Sequence, residues 1–515
     1  MAVETWSESI KAFCHRRVVT MLFLGISAGI PLLLIFSSLS LWLREAGVDR
    51  SAVTYFSWAA LGYSFKFVWA PLVDKLPLPL LTKMLGRRRA WLLLSQFMIM
   101  LAISMIALID PATDTLSAMA WAAVFLGFWA ATQDIVIDAY RIESAETDLQ
   151  TLMASSYIAG YRIGMLLAGA GALYLASYLG STKAVYSYQA WQSTYLIMAA
   201  VMLIGVITTV LIEEPHERES VELVHSIKDY VSFFALFFVV VASFITVFYI
   251  SEELTQTAKL NLSGLFVNNN LASFLVELGR LSLALTFAGI VAKLFVSLGI
   301  VQQQQVSQTY IAPVKDFFDR YGLSLAFLLL ALVGLYRISD IVLGVITNVF
   351  YQDLGFTKPV IASVVKSFGL GMTILGGFLG GLLAIRFGVM KILFLGAVLS
   401  ALTNLLFMLL AQVGQDITML YVVIAADNLS AGLASAAFIA FLSSLTNISF
   451  TAMQYAIFSS LMTLLPKILG GYSGTIVESI GYEQFFLITA VMGLPVLVLI
   501  VLANKYLDIK KPSIN

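Results

Sequence analysis

Ala70-Pro71-Leu72-Val73-Asp74-Lys75, then a stretch rich in Leu and Pro, then Gly86-Arg87-Arg88-Arg89-Ala90-Trp91: this passage decides how the chain is built. One apolar run ends on an acid and a base, and the next begins behind three arginines. A helix that crosses a bilayer needs roughly twenty apolar residues at about 1.5 Å each, so the passage reads as a short loop between two spans. Basic residues concentrate in cytoplasmic loops. If this loop is cytoplasmic, the loops on its side also hold Lys11, Arg16, Arg17, Lys83, Arg141, Arg218, Lys228, Lys315, Arg320, Arg386, Lys391, Lys505, Lys510 and Lys511. The opposite loops hold only Arg44, Arg50, Lys183, Lys259 and Lys358. Both termini are therefore expected in the cytoplasm, with an even number of spans.

The composition agrees with a bilayer as the solvent. Of 515 residues, 60% are hydrophobic and 12% charged, and mean hydropathy is +0.92, too little polar surface for a soluble protein of this size. Net charge is zero and the basic residues sit in short loops, which argues against nucleic acid as a partner and for topology as their purpose. The short segment before the first span shows no small-residue cleavage pattern, so that span is expected to stay as an anchor. Cys14 is the single cysteine, and His15, His216 and His225 fall in cytoplasmic loops. No disulfide, metal site or cofactor is expected. Without a G-x-x-x-x-G-K-[ST] stretch, nucleotide hydrolysis is not expected to supply energy.

Apolar runs place spans near 18–43, 53–73, 90–109, 118–138, 152–179 and 191–212. After the charged linker Glu213-Glu214-Pro215-His216-Glu217-Arg218-Glu219 come two more, near 228–250 and 277–300. Six others follow, near 324–351, 359–384, 389–411, 418–443, 453–470 and 483–503. The reading is an all-α polytopic protein of about 14 helices, divided into a six-helix bundle over 1–212, a linker with two extra helices over 213–322 and a six-helix bundle over 323–515.

Lys66, Asp134, Arg162, Arg337, Asp340, Lys366 and Asp427 fall inside these spans. A charge at membrane depth is costly unless it is paired or faces water, so these residues mark a polar pathway. Asp340, Lys366 and Asp427 lie at similar depth and are expected to neutralise one another, with Arg337 placed to pair with Asp340 one turn on. Lys66 is expected to pair with Asp134. Asp74, Arg87, Arg88, Asp138 and Arg141 gather at the water boundary as a helix-end charge network. Tyr63 shares a face with Lys66, and Tyr157 and Tyr161 adjoin Arg162; such groups can stack on sugar rings or simply pack helices. Trp42, Trp69 and Trp91 read as interfacial belt residues, and Arg280 and Lys293 as snorkelling cations.

The loop from Ala70 to Arg89 and its counterpart Gly381-x-x-x-Ile385-Arg386-x-Gly388 with Lys391 resemble the signature between the second and third spans of each half in the major facilitator superfamily. The first copy has Ala70 for the glycine, and the second has Ile385 for the acid. A more specific resemblance, to the AmpG muropeptide permease family, rests on Gly25-Ile26-Ser27-Ala28-Gly29-Ile30-Pro31-Leu32, Lys66-Phe67-Val68-Trp69-Ala70-Pro71-Leu72-Val73-Asp74, Gly86-Arg87-Arg88-Arg89-Ala90-Trp91 and Ala131-Thr132-Gln133-Asp134-Ile135-Val136-Ile137-Asp138-Ala139-Tyr140-Arg141. In the second half it rests on Asp427-Asn428-Leu429-Ser430, Ala436-Ala437-Phe438, Gln454-Tyr455-Ala456 and Ser459-Ser460-Leu461.

The resemblance implies a monomeric secondary transporter of a bacterial inner membrane that takes up anhydromuropeptides from the periplasm by proton symport. On that reading Tyr63, Lys66, Gln133, Tyr157, Tyr161, Arg162, Arg337, Lys366, Asn428 and Gln454 would contact the glycopeptide. Asp134, Asp340 and Asp427 would carry the proton, and Asp74, Arg87, Arg88, Asp138 and Arg141 would form a gate. A carrier of acetyl-coenzyme A or another anionic metabolite would also want cations within its spans. A membrane-embedded transferase would want a catalytic constellation, for which Asp138 and Glu143 are weak acids to offer.

Overall fold

The computed structural model describes residues 12–48, 63, 65–114, 116–144, 147–182, 185–215, 227–252, 255, 269–357, 360–470 and 473–507. Most of the expected second span, together with Lys11, Arg50, Lys183, His216, Arg218, His225, Lys259, Lys358, Lys510 and Lys511, lies outside the described residues. Among those described, regular structure is helical throughout. The first part of the chain forms α1 (Arg16–Ile35), α2 (Ser37–Glu45), α3 (Ala70–Lys75), α4 (Leu81–Leu85), α5 (Arg87–Ala107), α6 (Leu116–Ser144), α7 (Thr147–Leu166), α8 (Ala172–Tyr178), α9 (Tyr188–Val201) and α10 (Leu203–Leu211). Next come α11 (Ile227–Ile250) and α12 (Asn269–Ser297). The last part forms α13 (Gln303–Val306), α14 (Ala312–Leu335), α15 (Ile338–Asp353), α16 (Gly369–Phe387), α17 (Val389–Val413), α18 (Ile417–Leu445), α19 (Thr451–Gly470), α20 (Ser473–Met492) and α21 (Leu494–Tyr506). Ten of the described helical stretches are long and apolar enough to cross a membrane, and Phe234–Ile250 and Ser282–Ser297 are shorter apolar helices.

The chain divides into two compact units: residues 1–218 with 317–515, and residues 219–316. In the smaller unit α11 packs on α12. Arg280 lies over the Phe248 ring, 3.9 Å from its centroid, and its Nε donates to Phe248 O at 2.8 Å. Aromatic stacking, a backbone acceptor and the Glu252 carboxylate 3.8 Å away hold this cation.

Within the larger unit the two halves repeat the same backbone corners. Gly47 and Gly355 both have φ near +87°, Gly86 and Gly388 have +85° and +90°, and Gly180 and Gly481 have +103° and +80°. At Gly86 and Gly388 the corner starts α5 and α17 with ψ of 169° and 148°, a conformation that only a residue without Cβ adopts freely. The first helix of each half is also broken. After Pro31, which removes a ladder donor, α1 stops at Phe36 (φ −96°, ψ −82°), and α14 stops before the turn at Tyr336-Arg337.

Small residues let helices close on one another. A Cβ on Gly160 would run into the backbone of Leu22 and Ile26, and one on Gly29 into that of Tyr161 and Met165, so α1 and α7 are in backbone contact. Gly376, Gly380 and Gly432 do the same between α16 and α18.

Three expectations change. The helix expected over 324–351 is two, α14 and α15, and α14 itself bends at Gly322 (φ +71°). Helix α13 takes in Gln303-Gln304-Gln305, between the spans expected near 277–300 and 324–351. Trp42, Trp69 and Trp91 are not belt residues: all three are buried, because each indole N–H finds an acceptor inside. Trp42 donates to Tyr186 OH at 3.2 Å and stacks on Trp191 with ring centroids 5.6 Å apart. Trp69 donates to Thr132 Oγ1 at 3.0 Å and Trp91 to Leu76 O at 2.9 Å.

Candidate functional site

The loop that opens at Asp74 builds a clasp between the halves. Helix α3 ends there, and its carboxylate accepts Ala452 N at 3.0 Å and Met453 N at 2.8 Å. These are among the first N–H groups of α19, which have no acceptor within their own helix and favour a negative charge. Arg88, on the first turn of α5, is buried and donates to Asp74 Oδ1 at 2.7 Å, to both oxygens of Glu143 at 2.8 and 2.6 Å and to Thr451 Oγ1 at 2.9 Å. Thr451 in turn bonds Glu143. Arg141 donates to Ser443 Oγ at 2.7 Å and lies 3.5 Å from Asp138, while Lys75 reaches Ser449 O at 3.4 Å over the Phe450 ring. A guanidinium held by two carboxylates is a planar, bidentate arrangement that lysine cannot copy.

The linker before the smaller unit braces this clasp. Glu214 accepts Arg88 N at 2.7 Å and Arg89 N at 2.9 Å, capping α5 from a distant part of the chain. Burial pushes its carboxyl above the usual range, and the two N–H bonds offset part of that shift. Glu213 pairs with Arg16 at 2.7 Å on the surface.

Deeper in the first half, Lys66 pairs with Asp138 at 3.6 Å. The expected Lys66 to Asp134 pair is thus replaced by one with the carboxylate a turn nearer the clasp. Lys66 itself opens a turn of 3-10 helix, Lys66–Val68. Asp134 instead accepts Tyr157 OH at 3.3 Å, and the Tyr157 and Tyr161 rings lie 6.0 Å apart. Ser27 Oγ donates to Gln133 Oε1 at 3.2 Å. The recorded hydrogen bond of Arg162 is a weak one to Met165 Sδ at 3.9 Å.

In the second half the partners also differ from expectation. Asp340 accepts from Ser400 Oγ and pairs with Arg337 at 3.8 Å. Asp427 accepts from Thr403 Oγ1 at 3.4 Å. Lys366 is exposed on the π-helical segment Ile361–Phe368. Asn428 holds α16 to α18, accepting Thr373 Oγ1 at 2.9 Å and donating to Ile424 O at 3.0 Å. Gln454 sits near the clasp, its Oε1 accepting from Arg320 at 3.0 Å and from Asn447 N at 2.8 Å.

Several participants escaped the sequence reading as members of the site: Glu143, Ser443, Thr451, Glu214, Trp129 and Asn404. Thr451 sits just ahead of an apolar run, the position of a helix start, and Trp129 lies one turn before Gln133. Asn404 and Ser443 gave no signal of their own.

The sequence profile of the Major Facilitator Superfamily matches residues 18–348 and 328–513. Among curated proteins, the chain is 29% identical over 501 residues to putative transporter AmpG 4 of Rickettsia felis, covering 97% of this chain and 99% of that one. It is 27% identical over 510 residues to the anhydromuropeptide permease of Escherichia coli K12, covering 99% and 84%. Among solved structures, the proton:xylose symporter XylE superposes with a TM-score of 0.57 at 11% identity, covering 96% of this chain and 95% of XylE. The human organic anion transporter MFSD10 gives 0.57 at 12% identity, covering 94% and 99%. Repeated corners, a clasp between two halves and these likenesses agree: the chain is a transporter and belongs to the Major Facilitator Superfamily.

Proposed function

We propose that this protein imports anhydromuropeptides from the periplasm to the cytoplasm of a bacterium, driven by the proton gradient, with the clasp on the cytoplasmic face of the inner membrane. The near full-length relationship to a protein named anhydromuropeptide permease carries this reading. In this conformation the clasp shuts the cytoplasmic end, and the inner charges wait for a ligand from the other side. Opening requires Asp74 and Arg88 to leave the start of α19 together, a bistable packing of the kind that alternating access uses. Tyr63, Lys66, Gln133, Tyr157, Tyr161, Arg162 and Arg337 are the residues to contact the glycopeptide.

For coupling, Asp134 and Asp427 bond to hydroxyl groups rather than to cations, and Asp340 accepts from Ser400 Oγ and lies 3.8 Å from Arg337. A proton taken up at one of these carboxylates from the outer side and released inside would link the carrier to the gradient. The test is uptake of labelled anhydromuropeptide into proteoliposomes under an imposed pH gradient. Accumulation that collapses with a proton ionophore supports the reading; accumulation that persists undiminished removes the coupling, and no uptake removes the substrate.

A further inference from the structure

Asp138 is shared between two cations. Lys66 Nζ lies 3.6 Å from its Oδ2 and Arg141 Nη2 lies 3.5 Å from its Oδ1, both longer than the roughly 2.8 Å of a strong charge-assisted bond. All three side chains are buried. Arg141 also carries one of the bonds between the halves. Ser443 Oγ gives its single proton to Ile439 O at 2.7 Å, so it must accept from Arg141 Nη1, also at 2.7 Å. The same guanidinium lies 5.2 Å from the centroid of the Tyr455 ring of α19, and its Nε is buried without a hydrogen-bond partner. Asp138 and Ser443 therefore compete for one guanidinium, which keeps a donor in reserve for the acid.

Asp134 lies one turn away from Asp138 on α6, about 6 Å along the axis, a distance that a flexible lysine side chain can cross. The titratable groups that face Asp134 are Asp138 on its own helix, Lys66, Tyr157 and Tyr161 of α7, Tyr63, and Tyr455 of α19. Phenols are neutral in the ordinary pH range. Among the described residues, then, Lys66 is the cation placed to answer a charge on Asp134.

We propose that Lys66 is a movable counter-ion that transmits the proton state of Asp134 to the clasp through Asp138 and Arg141. While Asp134 carries a proton, Lys66 stays on Asp138 and Arg141 is left to Ser443 in the other half, as in this conformation. When the proton leaves for the cytoplasm, Lys66 crosses to the bared carboxylate of Asp134. Asp138 then draws Arg141, because a bond to a carboxylate is about twice as strong as one to a neutral hydroxyl, and the bond to Ser443 is given up. Release of the proton thus holds the cytoplasmic face open, and a new proton from the outer side lets it shut again. The influence is reciprocal, as coupling between two sites must be. This rests on the proposed proton coupling and names the residues that convey it.

The test follows the clasp with one spin label on each half, at Lys83→Cys and Lys391→Cys in a Cys14→Ser background. Both lysines are exposed. Pulsed spin-resonance distances on the full-length protein in nanodiscs, at mildly alkaline pH and without substrate, give the ratio of shut to open molecules. Asp134→Asn, which keeps this side chain neutral, should raise that ratio about fivefold or more, the lower end of ordinary coupling between sites. With Lys66→Met or Ser443→Ala already in place, the same change should leave the ratio where it stands, whereas a merely structural role would make the effects additive. Should Lys66→Met fail to insert, Lys66→Gln is read in its place. Should Asp134→Asn fail to insert, pH is raised on the protein with its native acid: the shut fraction should fall, and Ser443→Ala should flatten the fall. An Asp134→Asn change that leaves the ratio unaltered, or raises it equally in the Lys66 or Ser443 variants, overturns the relay. Uptake of labelled anhydromuropeptide by the unlabelled protein in proteoliposomes then tells which reading has failed. Uptake that follows the pH gradient keeps the coupling while the relay falls; uptake indifferent to the gradient removes both.

Discussion

Met453 N donates to Asp74 Oδ2 at 2.8 Å, so a carboxylate at the end of α3 in one half caps the start of α19 in the other. Removing the acid strands the N–H groups of α19 and leaves Arg88 with Glu143 as its carboxylate partner. A buried ion pair broken on one side costs about 3–5 kcal/mol. In a background with Cys14→Ser, Lys75→Cys and Ser449→Cys should crosslink readily, since Lys75 Nζ lies 3.4 Å from Ser449 O. Adding Asp74→Ala should cut the crosslinking rate severalfold; an unchanged rate would show that the acid does not hold the face shut.

The Lys66 and Asp138 pair gives a rescue experiment. Lys66→Met leaves Asp138 with Arg141, 3.5 Å away, as its remaining cation, and should lower the amount of folded protein in the membrane. Adding Asp138→Asn should restore it, whereas adding Asp134→Asn should not. Detergent-extracted yield and melting temperature read the difference, and rescue by the Asp134 change alone would return the pair to the form expected from sequence.

Backbone contact between α1 and α7 predicts steep intolerance at Gly160. Gly160→Val forces the helices apart along their length and should remove most folded protein, an effect of the large class that overpacking produces. Gly171→Ala, whose added Cβ would meet its nearest atom at an ordinary 3.8 Å, should change the melting temperature by little. Equal effects at both positions would contradict the close approach.

The raised carboxyl of Glu214 predicts a pH dependence with a definite sign. The folded protein holds this proton at pH values where the unfolded chain, near the ordinary glutamate value of about 4.3, has released it. The folded state then binds more protons, so this group's contribution falls as pH rises through that window. The melting temperature of the wild-type protein minus that of Glu214→Gln should therefore decline from pH 4.5 towards neutrality. A flat or rising difference would mean that the carboxylate is not penalised by its burial.

Sequence alone brought the membrane class, the two halves and the clasp residues Asp74, Arg88 and Arg141 into view, because apolar length, loop charge and the acid-base spacing around a short loop are local properties. It could not choose between Asp134 and Asp138 as the partner of Lys66. Those acids are one helical turn apart, and a difference of about 6 Å along the helix lies within the reach of a flexible lysine side chain. Nor could it separate a buried tryptophan from a belt tryptophan, since both occur near span ends and differ only in whether an acceptor such as Thr132 Oγ1 or Leu76 O awaits the indole. Glu143 and Ser443 entered the clasp through contacts between helices far apart in sequence, as with Ser443 and Arg141.

The isoleucine at position 385 has a mechanical consequence. Where the first half offers Asp74 to a facing helix start, the second half offers an alkyl side chain, and nearby Gly381 brings α16 close to Leu152 and Ser155 of α7. Any parting of the halves at this face must break charged bonds at the Asp74 seam, while at the other seam Gly381 lies against Ser155 and Leu152 with no Cβ between them. The two seams are thus built unlike one another, a latch of charge at one and a bare glycine contact at the other, in a fold whose halves otherwise repeat.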